Sequence, residues 1–291
     1  MELTEKKKRP KKQSQIKETW RRFCKNKAAV LGLAIMGVLV FCAIFADVIT
    51  PESINNQVLE RRLQTPSREH PMGTDNLGRD LYTRIIFGTR TSLRIGFTAV
   101  SVALTIGVLI GSLAGFYGGK LDNFLMRGID ILLAIPNILL AIAIASALGP
   151  GLTNVMIAVG VAAVPEYARL SRAAVMTIRE REFVEAARAI GGNDFRIITR
   201  HILPNCLAPI IVQVTVGLSG AILSAAGLSF IGLGVQVPTP EWGFMLSDGR
   251  RFLRDYPHMV TFPGLAIVTV VCAINMVGDG LRDALDPKLK R

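Results

Sequence analysis

The chain has 291 residues, of which 50% are hydrophobic and only 19% charged, and it carries a net charge of +12. A soluble domain is about a quarter charged. Here the charges crowd into short loops and leave long stretches with none, which excludes an ordinary soluble enzyme. The basic excess sits in residues 1–27, with 11 Lys or Arg against three Glu. No aromatic interleaving supports base stacking there, so the segment reads as a polar tail before a membrane span and not as a nucleic-acid arm.

A helix crossing the hydrocarbon core needs about 20 apolar residues. The first candidate, 28–46, ends at Asp47. Its apolar run exceeds the roughly 7–15 residues of a signal-peptide core, and Ala43-Ile44-Phe45-Ala46 has the wrong cleavage spacing, so it is expected to remain as an anchor. Residues 52–94 follow as an outer loop with seven Arg and five acids. Its last part, 80–94, is expected to lie as an interfacial helix.

The second run, 95–119, carries Gly107, Gly111, Gly115 and Gly119 at intervals of four. They share one helix face, where another backbone can approach closely. Packing within the chain is the expected use, and a subunit contact is the alternative. The third run, 131–165, is too long for one helix and is split at Gly149-Pro150-Gly151. Pro136 is expected to kink the earlier half. The runs 206–240 and 259–278 complete six expected spans.

Six spans put both ends on one side. With the ends inside, 24 basic residues face the cytoplasm and 10 face out, as the positive-inside rule requires. The expected division is a basic tail over 1–27, an anchor over 28–50, an outer loop over 51–94, a membrane domain over 95–280 and an inner tail over 281–291. The membrane domain includes an inner loop over 166–205. The fold class is therefore all-α, with six transmembrane helices in a lipid bilayer.

None of the expected spans has an ionisable residue at its middle. Proton-coupled carriers usually need one. The amides Asn137, Asn154, Gln213 and Asn275 are the polar groups that could line a path, although such groups more often join helices. Gly119-Lys120 fails as a phosphate loop, because position 114 is Ala and position 121 is Leu. Gly227 to Ile231 fails as a nucleophile elbow. His70, His201 and His258 have no metal spacing, and Cys24, Cys42, Cys206 and Cys272 form no CxxC pair. No catalytic residue, metal or cofactor is expected in the chain, and energy has to enter through a partner.

The inner loop is the place for that partner, since loops this long in compact proteins are usually functional. Residues 169–178 and 183–190 have helical apolar stripes. Gly191-Gly192 ends the second helix, and Asn193 can cap the next. Ala186 and Ala187 offer a low-profile surface for a groove, with Glu180, Arg181, Glu182, Glu185 and Arg188 at its rim. A merely solvated helix is the alternative on these grounds.

Glu185-Ala186-Ala187, Gly191 and Leu203-Pro204 resemble the EAA loop of ABC importer permeases. His201 stands where that family carries isoleucine, and His201-Ile202-Leu203-Pro204-Asn205 is similar to the form in the dipeptide/oligopeptide/nickel group. The segments 73–80, 228–234, 238–243 and 278–287 resemble that group too, and the N-terminal region resembles its "C"-type subunit. The resemblance implies a coupling helix in which Glu185, Ala186, Ala187 and Gly191 supply contact and geometry. It also implies a second homologous permease, two ATP-binding subunits holding ATP and Mg, and an extracytoplasmic substrate-binding protein. The cargo implied is a dipeptide or oligopeptide, with nickel or a metal chelate as the alternative. An ion-coupled transporter working alone is the rival class.

Overall fold

The computed structural model of the protein describes residues 15–50 and 52–285. The expected tails therefore lie partly outside the described residues, at 1–14 and 286–291. The described residues are mostly helical, with turns and loops over 52–80 and 231–241 and one isolated bridge between Thr74 and Asp80.

A short helix α1 (Gln15–Phe23) occupies part of the expected tail. Its Phe23 is buried against Ala29 and Ala284. Asn26 then caps α2 (Lys27–Ile44) by accepting a hydrogen bond from the Ala29 amide at 3.2 Å. A turn, α3 (Ala46–Ile49), ends that first apolar run. Arg90 donates to the carbonyl of Ala43 at 2.8 Å and pairs with Asp47 at 3.0 Å, fixing the C-terminal end of α2.

The next helix, α4 (Leu81–Tyr117), has 37 residues. At 1.5 Å per residue it is about 55 Å long, well beyond a hydrocarbon core of about 30 Å. The separate interfacial helix expected over 80–94 is thus the first part of the same helix, and the outer loop ends at Asp80 instead of residue 94. Nothing in 81–95 breaks a helix, and the Asp80 side chain caps its start by accepting from the Thr83 amide at 2.7 Å.

After Tyr117 the chain turns at Gly118 and forms α5 (Gly119–Leu133) and α6 (Asn137–Leu148), which meet at 88°. Sequence predicted a kink at Pro136, and the structure has a full break there. Proline lacks an amide donor and pushes the preceding residue out of the helical region. Then α7 (Leu152–Arg179) runs through Pro165 and continues 14 residues past the expected end of the fourth span.

Two short helices, α8 (Glu182–Ala189) and α9 (Asp194–Arg196), and a π-helical turn (Ile197–Ile202) follow. The chain returns through α10 (Leu207–Phe230), which stops at Phe230 instead of continuing to 240. There Gly232, at φ +88°, places its amide on the Ser229 carbonyl and the Leu233 amide on the Leu228 carbonyl, both at 3.0 Å. These two bonds satisfy the last carbonyls of the helix. The short α11 (Trp242–Gly249) leads to α12 (His258–Leu285).

Among the described residues four helices, α2, α4, α10 and α12, are long and apolar enough to cross a membrane, or five if the bent pair α5–α6 is counted as one span. The remaining expected span lies within α7, whose later half is charged.

The bundle is organised around α4 and α7. A Cβ added at Gly107 would sit 2.5 Å from the Cβ of Tyr167, at Gly111 2.3 Å from the carbonyl of Ala168, and at Gly115 2.8 Å from that of Arg172. The glycine face therefore packs inside the chain. Gly119 does not join it; it lies past the helix end, with nothing within 4 Å of its missing Cβ.

The end carrying residues 180–206 is called here the lower end, and the end carrying 52–80 and 231–257 the upper end. At the upper end, buried Asp75 accepts from the amides of Leu77 and Arg79 at 2.8 and 3.0 Å and from the Arg79 guanidinium at 2.6 Å. Arg84 lies 3.7 Å from the same carboxylate. Asn76 reaches across to Asp248 at 3.2 Å. Glu241 accepts from the amides of Gly243 and Phe244, and Trp242 donates to the Ile85 carbonyl at 3.1 Å. The segments 73–80 and 238–243 thus form one roof over α4.

Candidate functional site

Two places combine polar chemistry with access: the segment 182–205 at the lower end, and a cavity between α4, α6, α7 and α10.

At the lower end, Val184 and Ala187 on α8 are buried with Val175, Phe116, Ile197 and Ile202. Arg188 lies over the Phe116 ring at 5.2 Å, a cation–π contact that holds α8 against the tip of α4. Gly191, at φ +81°, ends α8, and its amide donates to the Arg188 carbonyl at 2.9 Å. Asn193 caps α9 as expected, accepting from the Arg196 amide at 2.8 Å.

The burial corrects one expectation. Ala186 is exposed, but Ala187 faces inward, so the two alanines do not share a docking surface. They are adjacent, and successive residues on a helix point about 100° apart. Glu185 is exposed and makes no ion pair among the described residues. The apolar groups that do face out were not singled out from sequence: Ile190 is 87% exposed and Phe195 77%. Ile190 follows the last residue of α8 and α9 is a single turn, so no helical stripe marks either position.

Ion pairs brace this end. Arg172 binds Asp122 through two bonds of 2.6 Å, and Arg169 binds Asp130 at 2.6 Å, tying α7 to α5. Arg179 donates to the Gly115 carbonyl at 2.9 Å. Gly119 and Lys120 open α5, so they form helix and not a phosphate loop.

The four amides separate into two classes. Asn154 donates to the carbonyls of Leu148 and Gly149 at 2.9 and 3.0 Å and so closes the end of α6. Asn275 accepts from Ser219 at 2.8 Å, joining α12 to α10. These two serve packing. Asn137 and Gln213 line a cavity of about 170 Å³ together with Glu166 and Tyr167. The Tyr167 hydroxyl donates to the Gln213 carbonyl at 3.2 Å, and the Gln213 amide lies 3.4 Å from the Glu166 carboxylate. Glu166 was placed at the margin of a loop from sequence. It stands instead midway along a 28-residue helix.

The fold also brings Glu52, His70 and Asp80 together, with one ligand atom from each within 4.8 Å of the others. Sequence spacing gave no sign of this. His70 and Asp80 already bond each other at 2.9 Å, and Asp80 caps α4. All four cysteines are free; Cys206 is buried and Cys24 and Cys272 are exposed.

Long apolar helices, a polar cavity between them and an open lower end define a multi-spanning membrane permease. The chain belongs to the family of binding-protein-dependent transport system inner membrane components, whose model matches residues 107–291. A second model, for the N-terminal membrane domain of oligopeptide transport permease C, matches residues 14–66. The chain is 52% identical to the dipeptide transport system permease protein DppC of Alkalihalophilus pseudofirmus, across 94% of this chain and 90% of the relative. It is 48% identical to the di/tripeptide permease DppC of Pseudomonas aeruginosa, across 95% and 93%. It is 44% identical to the glutathione transport permease GsiD of Pectobacterium atrosepticum, across 94% and 91%. Among solved structures, the MetNI methionine ABC transporter aligns with a TM-score of 0.58 at 21% identity, covering 70% of this chain and 96% of that one. An amino acid ABC transporter aligns at 0.54 and 16% identity, covering 69% and 94%. These two share the fold.

Proposed function

We propose that this protein is one of two transmembrane subunits of an ATP-driven importer of dipeptides or short oligopeptides. The relatives named for dipeptide, di/tripeptide and glutathione transport favour peptide cargo over nickel. In this reading α7 and the bent pair α5–α6 count as crossings, which makes six. Both ends and the segment 182–205 face the cytoplasm, in accord with the charge balance.

The observation that carries the reading is the lower end. A short helix with Glu185 and Ala186 outward is flanked by exposed Ile190 and Phe195, and it is fixed to α4 and α7 from behind. Apolar groups rimmed by charge mark a protein interface. An ATP-binding subunit docks here, with Glu185 and Ala186 at the contact, Ala187 anchoring the helix and Gly191 setting its turn. Closure of two such subunits would push α8, and the rigid α4–α7 pair would transmit the motion as a rigid body. The chain itself hydrolyses nothing. Its further partners are a second, homologous permease and an external binding protein that delivers the cargo. Asn137 and Gln213 lie on the path; Asn154 and Asn275 are set aside from it as packing groups.

Reconstitution with these partners in liposomes tests the proposal. ATP inside, with ions equal across the membrane, should drive dipeptide uptake. Uptake that follows a sodium gradient without ATP would overturn it.

A further inference from the structure

The cavity wall contains one feature that a passive lining does not need. Glu166 lies 14 residues after Leu152, the first residue of α7. At 1.5 Å per residue that is about 21 Å along the helix, which falls inside a hydrocarbon core of about 30 Å when α7 crosses as proposed above with its first turn at one face. Its side chain is exposed on the bundle and borders the cavity. A carboxylate at that depth is costly against lipid, and such groups face water or a pathway.

Among the described residues no Lys, Arg or His forms an ion pair with it. The neighbouring Arg169 and Arg172 are committed to Asp130 and Asp122. The Gln213 amide lies 3.4 Å from its carboxylate in the cavity. The other polar lining comes from Asn137, Tyr167 and Ser224, all uncharged. The cavity therefore holds one unmatched negative charge beside amides that can both donate and accept. A peptide with a free amino end presents the complement: an ammonium group followed by a peptide bond.

We infer that Glu166 is the subsite for the α-ammonium group of the peptide in transit, with Gln213 and Asn137 meeting its first peptide unit. The inference rests on the peptide reading above and adds a chemical requirement to it: cargo with a blocked amino end loses its strongest contact in the membrane. Glu166 is a binding residue; no bond is made or broken there.

The test uses the whole transporter in nanodiscs, without its binding protein and without ATP, so that the membrane subsite alone is read. Alanyl-alanine and its N-acetyl derivative are compared by saturation-transfer NMR. Charge-assisted contacts of this kind predict about tenfold weaker binding of the acetylated form. Glu166→Gln should erase that difference, and Glu166→Asp should keep most of it. Equal binding of the two probes by the wild type overturns the subsite, as does a Glu166→Gln protein that still discriminates. If Glu166→Gln fails to insert, the wild-type ratio and the Glu166→Asp protein still decide the matter. ATP-driven dipeptide uptake by the complete wild-type system is measured alongside. Uptake without discrimination sinks only the subsite, and absence of any peptide uptake sinks both readings.

Discussion

The two ends of the molecule treat charge in opposite ways. At the upper end Asp75, Arg79 and Arg84 are almost wholly buried, with Asp75 2.6 Å from Arg79 and 3.7 Å from Arg84 and Asp248 3.9 Å from Arg79, and Glu241 is buried on the amides it caps. Burial pushes the Glu241 carboxyl above the ordinary range, and the hydrogen bonds from Gly243 and Phe244 oppose that shift. At the lower end Glu185 has no counterion among the described residues, and Ile190 and Phe195 lie open. A buried network must be complete within the chain, because an unpaired buried charge is very costly. An exposed, incomplete surface costs little on its own and can be completed by another protein. The upper roof is braced within the chain, and the lower end leaves apolar and charged groups open.

Four variants would break or sharpen this contrast, taken in order of their effect on stability. Asp75→Ala leaves two buried guanidinium groups without their carboxylate and should cost about 3–5 kcal/mol. Thermal unfolding in detergent should show most of the folded protein lost; a melting point near that of the wild type would mean that the roof is not load-sharing. Gly111→Leu forces a side chain into the α4–α7 contact, where even a Cβ would lie 2.3 Å from the Ala168 carbonyl. Overpacking should cost about 1–3 kcal/mol, with stability and transport falling together.

Gly191→Val acts through the backbone. At φ +81° a branched residue is strained by about 1–2 kcal/mol, although no atom lies within 4 Å of the added Cβ. Because the strain sits at the end of α8, coupling should suffer more than folding. Peptide-stimulated ATPase activity of the assembled transporter, compared with its melting point, separates the two. The double change Ile190→Ser and Phe195→Ser should alter stability by no more than about 0.5 kcal/mol. It should nevertheless abolish co-purification of the ATP-binding subunits. A double variant that retains them at wild-type stoichiometry would leave the lower end without its assigned contact.

Much of the local structure was legible in the sequence. The cap at Asn193, the stop at Gly191 and, to within a residue, the helix expected over 183–190 and found over 182–189 depend on neighbours a few residues away. The segments 73–80 and 238–243 could be matched to a family, but their shared roof could not be foreseen. Their partners are Ile85 and Asp248, far apart in the chain. Ala187 shows the same limit on a smaller scale, since its burial depends on Phe116 and Ile197 arriving from other elements.

By itself the sequence determined that this is a membrane protein, roughly where its apolar helices run and which family it resembles. Hydropathy and capping are properties of short stretches, and the cost of exposing a backbone to lipid makes them decisive. Only the tertiary structure decided that α4 is unbroken from Leu81, that the chain breaks by 88° before α6, and that the glycine face is used internally. It also separated four similar amides into two that hold helices together and two that line a cavity, and it placed Glu166 beside the latter. Those outcomes depend on which helices meet. Asn137, Glu166 and Gln213 come from three different helices, and nothing local to any of them records the other two.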